Sequence, residues 1–113
     1  MPGDNGCWWP EIFPPAWVLP ADPANVSSLT GFTLSSKAFV GSNQTYSTSD
    51  YEIWSGPSGS GTLIWSDYND AGMSVNVPGL GTVSVGTRYA RIRYKAASGK
   101  QSGWSADKVL TVT

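Results

Sequence analysis

The residues able to do chemistry are few, and their types narrow the options. The 113-residue chain carries eight acids, seven bases and no histidine. Without an imidazole, neither a Ser-His-Asp nor a Cys-His nucleophile system can be assembled. Cys7 is the single cysteine. It sits beside Trp8, Trp9 and Pro10 with no base nearby, and reads as a small packing residue rather than a reactive thiol. One cysteine also excludes an internal disulfide and a thiolate metal cluster. A glycosidase site needs paired acids across a cleft, whereas Asp50 and Glu52 flank one strand and the other acids fall in loops. That pattern is an ion-pair face. Asp67-Tyr68-Asn69-Asp70 offers hard oxygens of the kind calcium takes. It lacks the Gly and the distal Glu of a known calcium loop, so an ordinary turn is expected. No glycine loop runs into a helix to cradle a phosphate. The expectation is no enzyme, no catalytic residue, no cofactor and no metal.

The remaining chemistry is cationic and aromatic, and one stretch positions it. In Gly86–Ser105, GTRYARIRYKAASGKQSGWS, Ala90, Ile92 and Tyr94 alternate with Arg91, Arg93 and Lys95. A period of two puts an apolar row on one face of a strand and three cations on the other. A small-residue turn follows, then Trp104, then a β-rich tail through Val109, Leu110 and Val112. Trp104 can fold back over the cations as a cation–π stack, worth about 0.5–2 kcal/mol per contact. Strand Ser49–Ser55 alternates Tyr51 and Ile53 against Asp50, Glu52 and Trp54. As its neighbour it would place Glu52 and Trp54 on the face of Arg91 and Arg93.

Upstream, the chain reads as short strands. Leu29–Val40 is a strand running into a bend. Thr62–Trp65 is a short strand with Leu63 and Trp65 on one face and Trp65 directed to the core. Ser66–Gly72 is a loop, and Met73–Val77 alternates. Glycine- and serine-rich turns separate them. Six or seven strands at this spacing, with no helical pattern, predict an antiparallel β-sandwich over residues 24–113.

Residues 1–23 differ. They hold six of the eight prolines and three of the six tryptophans. Prolines at this density favour extended backbone over helix or central strand. The stretch is also apolar, through Cys7, Trp8, Trp9, Ile12, Phe13 and Trp17. Two readings are open: these side chains cover their own domain, or they form an extended arm that docks on another subunit. The second is the working expectation, with Cys7, Trp8, Trp9, Ile12, Phe13 and Trp17 as its contacts.

Composition bounds the rest. Charged residues are only 13% of the chain and the net charge is −1, so no basic field exists to hold nucleic acid. No apolar run is long enough to span a membrane, and the N-terminus lacks the pattern of a signal peptide.

Six motifs in order carry a resemblance. Leu80, Gly86-Thr87, Tyr89, the strand to Tyr94, the Ser98-Gly99 turn and the closing Thr111-Val112-Thr113 resemble the end of a fibronectin type III domain. Ser35-Ser36-Lys37-Ala38-Phe39, Ser47 to Ile53, Ile64-Trp65-Ser66, Arg91-Ile92-Arg93-Tyr94 and Ser102-Gly103-Trp104-Ser105 resemble the fibronectin-like domains of bacteriophage virion proteins. The last two also resemble the Trp–Arg ladder of cytokine-receptor fibronectin domains, which implies a structural ladder of Arg91, Arg93 and Trp104. One departure stands out. The family's corner tyrosine usually lies three residues before the first arginine, and Tyr89 lies two before Arg91. Either a bulge absorbs the missing residue, or Tyr89 does not make the usual corner bond.

The resemblance implies a virion structural or accessory protein, a capsid decoration or tail-associated component. It would be made in the host cytoplasm, sit on the particle surface, and contact capsid or tail subunits or further copies of itself. The alternative is an adhesion module that binds a host glycan or receptor, with Tyr46 and Tyr68 as surface contacts. An accessory domain of a polysaccharide-degrading enzyme ranks lower, because the sequence opens on Met1 and stands alone.

Overall fold

The structure, a computed structural model, describes residues 12–113. Cys7, Trp8 and Trp9 of the expected arm lie outside the described residues. Eight strands follow one another: β1 Trp17–Leu19, β2 Ala24–Val26, β3 Phe32–Ser36, β4 Tyr46–Gly56, β5 Ser60–Asp70, β6 Ser74–Val77, β7 Gly86–Ala96 and β8 Lys108–Val112. They form two sheets, β1-β3-β6 and β2-β8-β7-β4-β5. Every pairing is antiparallel except β2 with β8. Residues 20–23 carry the chain from one sheet to the other, with cis peptide bonds before Pro20 and Pro23.

The period-two pattern decides what is inside. Tyr51 and Ile53 of β4, Ala90 and Ile92 of β7, and Leu110 and Val112 of β8 meet Leu34 of β3 and Val77 of β6 in one core. Fully burying an aliphatic side chain of this size stabilises by about 1.5–3 kcal/mol. A second cluster closes the far end of β7, where Ile12, Tyr94 and Ala96 pack with Phe39, Tyr46 and Met73. The described part of the N-terminal stretch is thus built into the sandwich. Ile12 plugs that end and bridges to Gly41, Trp17 packs on the main core, and β1 pairs with β3.

Three local expectations change, and the connection that holds Leu80 is resolved. The predicted loop Ser66–Gly72 is mostly strand, because β5 runs as far as Asp70 beside β4. Trp65 does pack on the core, but Leu63 does not share its face: bulges between Ile53, Trp54 and Gly56 set Leu63 opposite outward-facing Trp54. Leu80 is 93% exposed, and Val83, 1% exposed, fills the core position below it. In β7 the register with β8 runs unbroken from Gly86 to Ala90, so no bulge realigns Tyr89. Tyr89 sits opposite Trp54 on the outer face. Arg88 occupies the inward parity instead and folds back at the corner. Its Nε donates to the Ser84 carbonyl at 3.1 Å, and Nη2 donates to the Val85 carbonyl and Ser84 Oγ at 2.8 Å. A guanidinium thereby ties down the corner that a tyrosine hydroxyl holds in related sandwiches.

Candidate functional site

The outer face of β4 and β7 gathers Asp50, Glu52, Arg91, Arg93 and Lys95. Alternation along β7 projects Arg91, Arg93 and Lys95 outward, and the register sets Glu52 opposite Arg91 and Asp50 opposite Arg93. Trp104 reaches this face because residues 102–105 run alongside β7 before β8 begins at Lys108. Two serines make that possible. Ser102 Oγ accepts from Tyr94 N–H at 2.9 Å and Ser105 Oγ from Ile92 N–H at 3.0 Å, while their own amides donate back to the carbonyls of Tyr94 and Ile92. Buried strand amides that face no regular partner strand are satisfied by hydroxyls.

The indole lies between two guanidinium groups. Arg91 Cζ is 4.1 Å and Arg93 Cζ 4.4 Å from the Trp104 ring, and Arg91 is also 5.8 Å from Trp54. The row therefore reads Trp54, Arg91, Trp104, Arg93. On its other side Arg91 meets the β4–β5 turn: a Cβ on Gly59 would fall 2.7 Å from the guanidinium and push it aside, and the left-handed backbone there (φ +72°) favours glycine. Ser58 N–H fixes the turn by donating to Asp107 Oδ2 at 2.8 Å.

The carboxylates complete the face. Glu52 Oε1 accepts from Arg91 Nε at 2.8 Å and Trp54 Nε1 at 2.9 Å, and its Oε2 accepts from the Tyr68 hydroxyl at 2.6 Å. Asp50, fully buried, accepts from Asn69 N–H at 2.9 Å on Oδ1. Its Oδ2 accepts from Arg93 Nη2 at 2.7 Å and lies 3.3 Å from Lys95 Nζ. Burial pushes both acids up. Hydrogen bonds and cations more than offset this and hold both below the usual carboxylate range: Asn69, Arg93 and Lys95 act on Asp50, and Tyr68, Trp54 and Arg91 on Glu52. Both acids are thus ionised acceptors whose lone pairs are already engaged. A general acid or nucleophile needs an accessible, poised group; these two are committed to holding the sheet.

The other expected contacts are spread out. Tyr46 lies in the Phe39–Tyr94 cluster, with ring centroids 5.5 and 5.9 Å away, and its hydroxyl meets Ser49 Oγ at 2.7 Å. Tyr68 is 45% exposed and stands on the outer face, so the two tyrosines form no shared platform. Phe13 is 44% exposed, and its amide donates to the Val40 carbonyl at 3.0 Å. Trp17 Nε1 donates to the Ala106 carbonyl at 2.8 Å. At the opposite end of β7, Leu29, Leu80 and Val85 are the three most exposed large apolar side chains described. Leu80 has φ +59°, a conformation costing a non-glycine residue about 1–2 kcal/mol. Among the described residues, no group of three or more His, Cys, Asp or Glu is placed to hold a metal ion.

The sequence pattern showed the arginine–tryptophan row. It did not show that Arg88 replaces the corner tyrosine. The available signal was that Arg88 lies three residues before Arg91, where the corner residue belongs.

No family model matches this chain, and no curated protein sequence matches it. Among solved structures it is similar to the fibronectin(III)-like modules of Clostridium thermocellum CbhA, with a TM-score of 0.57 and 18% identity. The match covers 88% of this chain and 45% of that one, so this chain spans less than half of the structure it matches. With the sheet order and the core, that likeness establishes a fibronectin type III-like sandwich.

Proposed function

We propose that this chain is a non-enzymatic structural or accessory module of a bacteriophage virion, capsid- or tail-associated, that docks through its N-terminal segment and displays the sandwich. The observation that carries the reading is where polar and apolar groups are left available. The charged outer face is closed on itself, each carboxylate saturated by the ladder. The N-terminal stretch instead leaves Phe13 half-exposed beside the Ile12 plug, and Cys7, Trp8 and Trp9 precede them in sequence. Aromatic side chains beside a rigid scaffold are typical anchors of protein interfaces. The phage assignment rests on the Arg-x-Arg-Tyr and Ser-x-Trp-Ser motifs and their order.

The partner is then a capsid or tail subunit, and the place of work the particle surface. Mass spectrometry of gradient-purified particles from the phage carrying this coding sequence tests it. The reading expects the chain at a fixed stoichiometry to a structural subunit. Finding it only in the soluble lysate fraction would sink it. Binding of the isolated sandwich to host cells, removed by Tyr68→Ala, would favour the adhesion alternative.

A further inference from the structure

The pole of the sandwich where β7 begins is apolar. Residues 24–36 and 71–87 meet there, and neither segment holds a charged side chain. Arg88, which follows the second, spends its guanidinium on Ser84 and the Val85 carbonyl. Leu29, Leu80 and Val85 project from these segments into solvent. Their base is rigid. The Leu80 amide donates to the Leu29 carbonyl at 2.9 Å, and the Gly81 amide to the Ser28 carbonyl at 2.8 Å. The loops approach so closely that a Cβ on Gly79 would collide with the Leu29 carbonyl, and one on Gly31 with that of Val77. Beside Leu29 and Leu80 a groove of about 370 Å³ opens, with Thr30, Gly31 and Phe32 on one wall and Val77, Pro78 and Gly79 on the other. An exposed, uncharged apolar pole of this kind marks an interaction site.

Its occupant follows from where the other apolar stretch joins the sandwich. Ile12 packs with Tyr94 and Ala96 at the far end of β7. Exposed Phe13 and Val40 stand beside it, tied by the bond from the Phe13 amide to the Val40 carbonyl. Residues 5–10, NGCWWP, come shortly before and are also uncharged. Trp8 and Trp9 lie four and three residues from Ile12, so their backbone stays within about 14 Å of it. β7 has 11 residues, which separates the two poles by about 35 Å. The tryptophans therefore fall short of the uncharged pole of their own sandwich. Those of a neighbouring copy stacked in line do not. Complementary surfaces on opposite ends of one molecule make a heterologous contact, which joins copies head to tail.

We propose that the pole formed by Leu29, Leu80 and Val85 receives the N-terminal segment of a second copy of this chain, with Trp8 and Trp9 as its apolar anchors, so that copies assemble in a head-to-tail row. The inference rests on the reading of the N-terminal stretch as a docking segment and names a receptor for it. Aromatic side chains seated on an uncharged, preformed surface are the usual centres of binding energy.

The test is sedimentation of the full chain up to about 1 mM, without particles and with Cys7 kept reduced. Wild type should grow past the mass of a dimer as concentration rises. A pole variant, Leu80→Asn, keeps a residue that accepts the left-handed backbone; Leu29→Ser serves if it does not fold. The arm variant is Trp8→Ser, Trp9→Ser. Each should weaken association by about tenfold or more. Mixed in equal amounts, the two variants should form a dimer and nothing larger, because one supplies the segment and the other the pole. Association that survives in the arm variant, or a mixture no heavier than its separate components, would overturn the proposal. A monomeric wild type that still co-sediments with particles would overturn it and leave the docking segment standing; failure in both assays would overturn both.

Discussion

Replacing Asp50 by alanine should be among the most damaging single changes on the outer face. The substitution leaves the Asn69 amide without its acceptor and takes the shared counterion from Arg93 and Lys95. Leaving one buried donor unsatisfied costs about 1–3 kcal/mol, and removing one partner of a buried ion pair costs about 3–5 kcal/mol. The two figures overlap rather than add. The cations retain 24% and 23% side-chain exposure, so water recovers part of the loss. A net cost of about 3–4 kcal/mol follows. Asp50→Asn keeps the acceptor for Asn69 and loses only the charge, so it should cost about 2 kcal/mol. Urea denaturation of the variants, read as midpoint shifts at constant slope, measures both. The pH dependence has a definite sign. Asp50 is held below its ordinary value of 3.8, so its contribution is complete above that pH and is lost as pH falls through the folded value. The difference between wild type and Asp50→Asn should therefore shrink below about pH 4. A cost under about 1 kcal/mol for the alanine variant, or a difference that grows on acidification, would refute the account of this face.

Other outcomes follow from the same geometry. Trp104→Ala removes two cation–π contacts at about 0.5–2 kcal/mol each; its loss should couple to Arg93→Ala in a double-mutant cycle, and strict additivity would contradict the stack. Ser105→Ala strands the Ile92 amide and should cost about 1–3 kcal/mol by chemical denaturation. Arg88→Ala should cost about 1–2 kcal/mol, and Arg88→Tyr should recover most of it if position 88 is the true corner. Leu80→Gly removes left-handed strain at an exposed site and should stabilise by about 1 kcal/mol in the same assay.

Alternation made the two long central strands legible. Tyr51 and Ile53 against Asp50 and Glu52, and Ala90, Ile92 and Tyr94 against the cations, each have one energetically acceptable face. The ladder was legible because cation, indole and serine recur at spacings a strand can use. Bulges were not. Nothing local in Leu63-Ile64-Trp65 marks the register shift that turns Leu63 outward, and nothing in Tyr68-Asn69 beyond the asparagine's tolerance of positive φ marks the one between the Ser49–Asp70 and Tyr51–Asp67 pairs. The connection between β6 and β7 was silent for another reason. Leu80 is the larger apolar residue, but the turn through Gly79 and Gly81 holds it outward, and Val83 reaches the core. The described part of the N-terminal stretch mixes a plug, a short strand and an exposed Phe13, and composition alone cannot separate Ile12 from Phe13.

That separation fixes how the docking proposal should be tested. A deletion of residues 1–20 would remove Ile12, Trp17 and β1, and so would unseat the sandwich itself. A deletion of residues 1–11 spares all three. The decisive measurement is co-sedimentation of the full chain, the 1–11 deletion and a Trp8→Ser, Trp9→Ser variant with the virions that the proposal names as its partner. All three should first be shown to be folded by their denaturation midpoints. The account predicts that only the full chain sediments with particles. Equal sedimentation of all three, or of none, would contradict docking through the N-terminal segment.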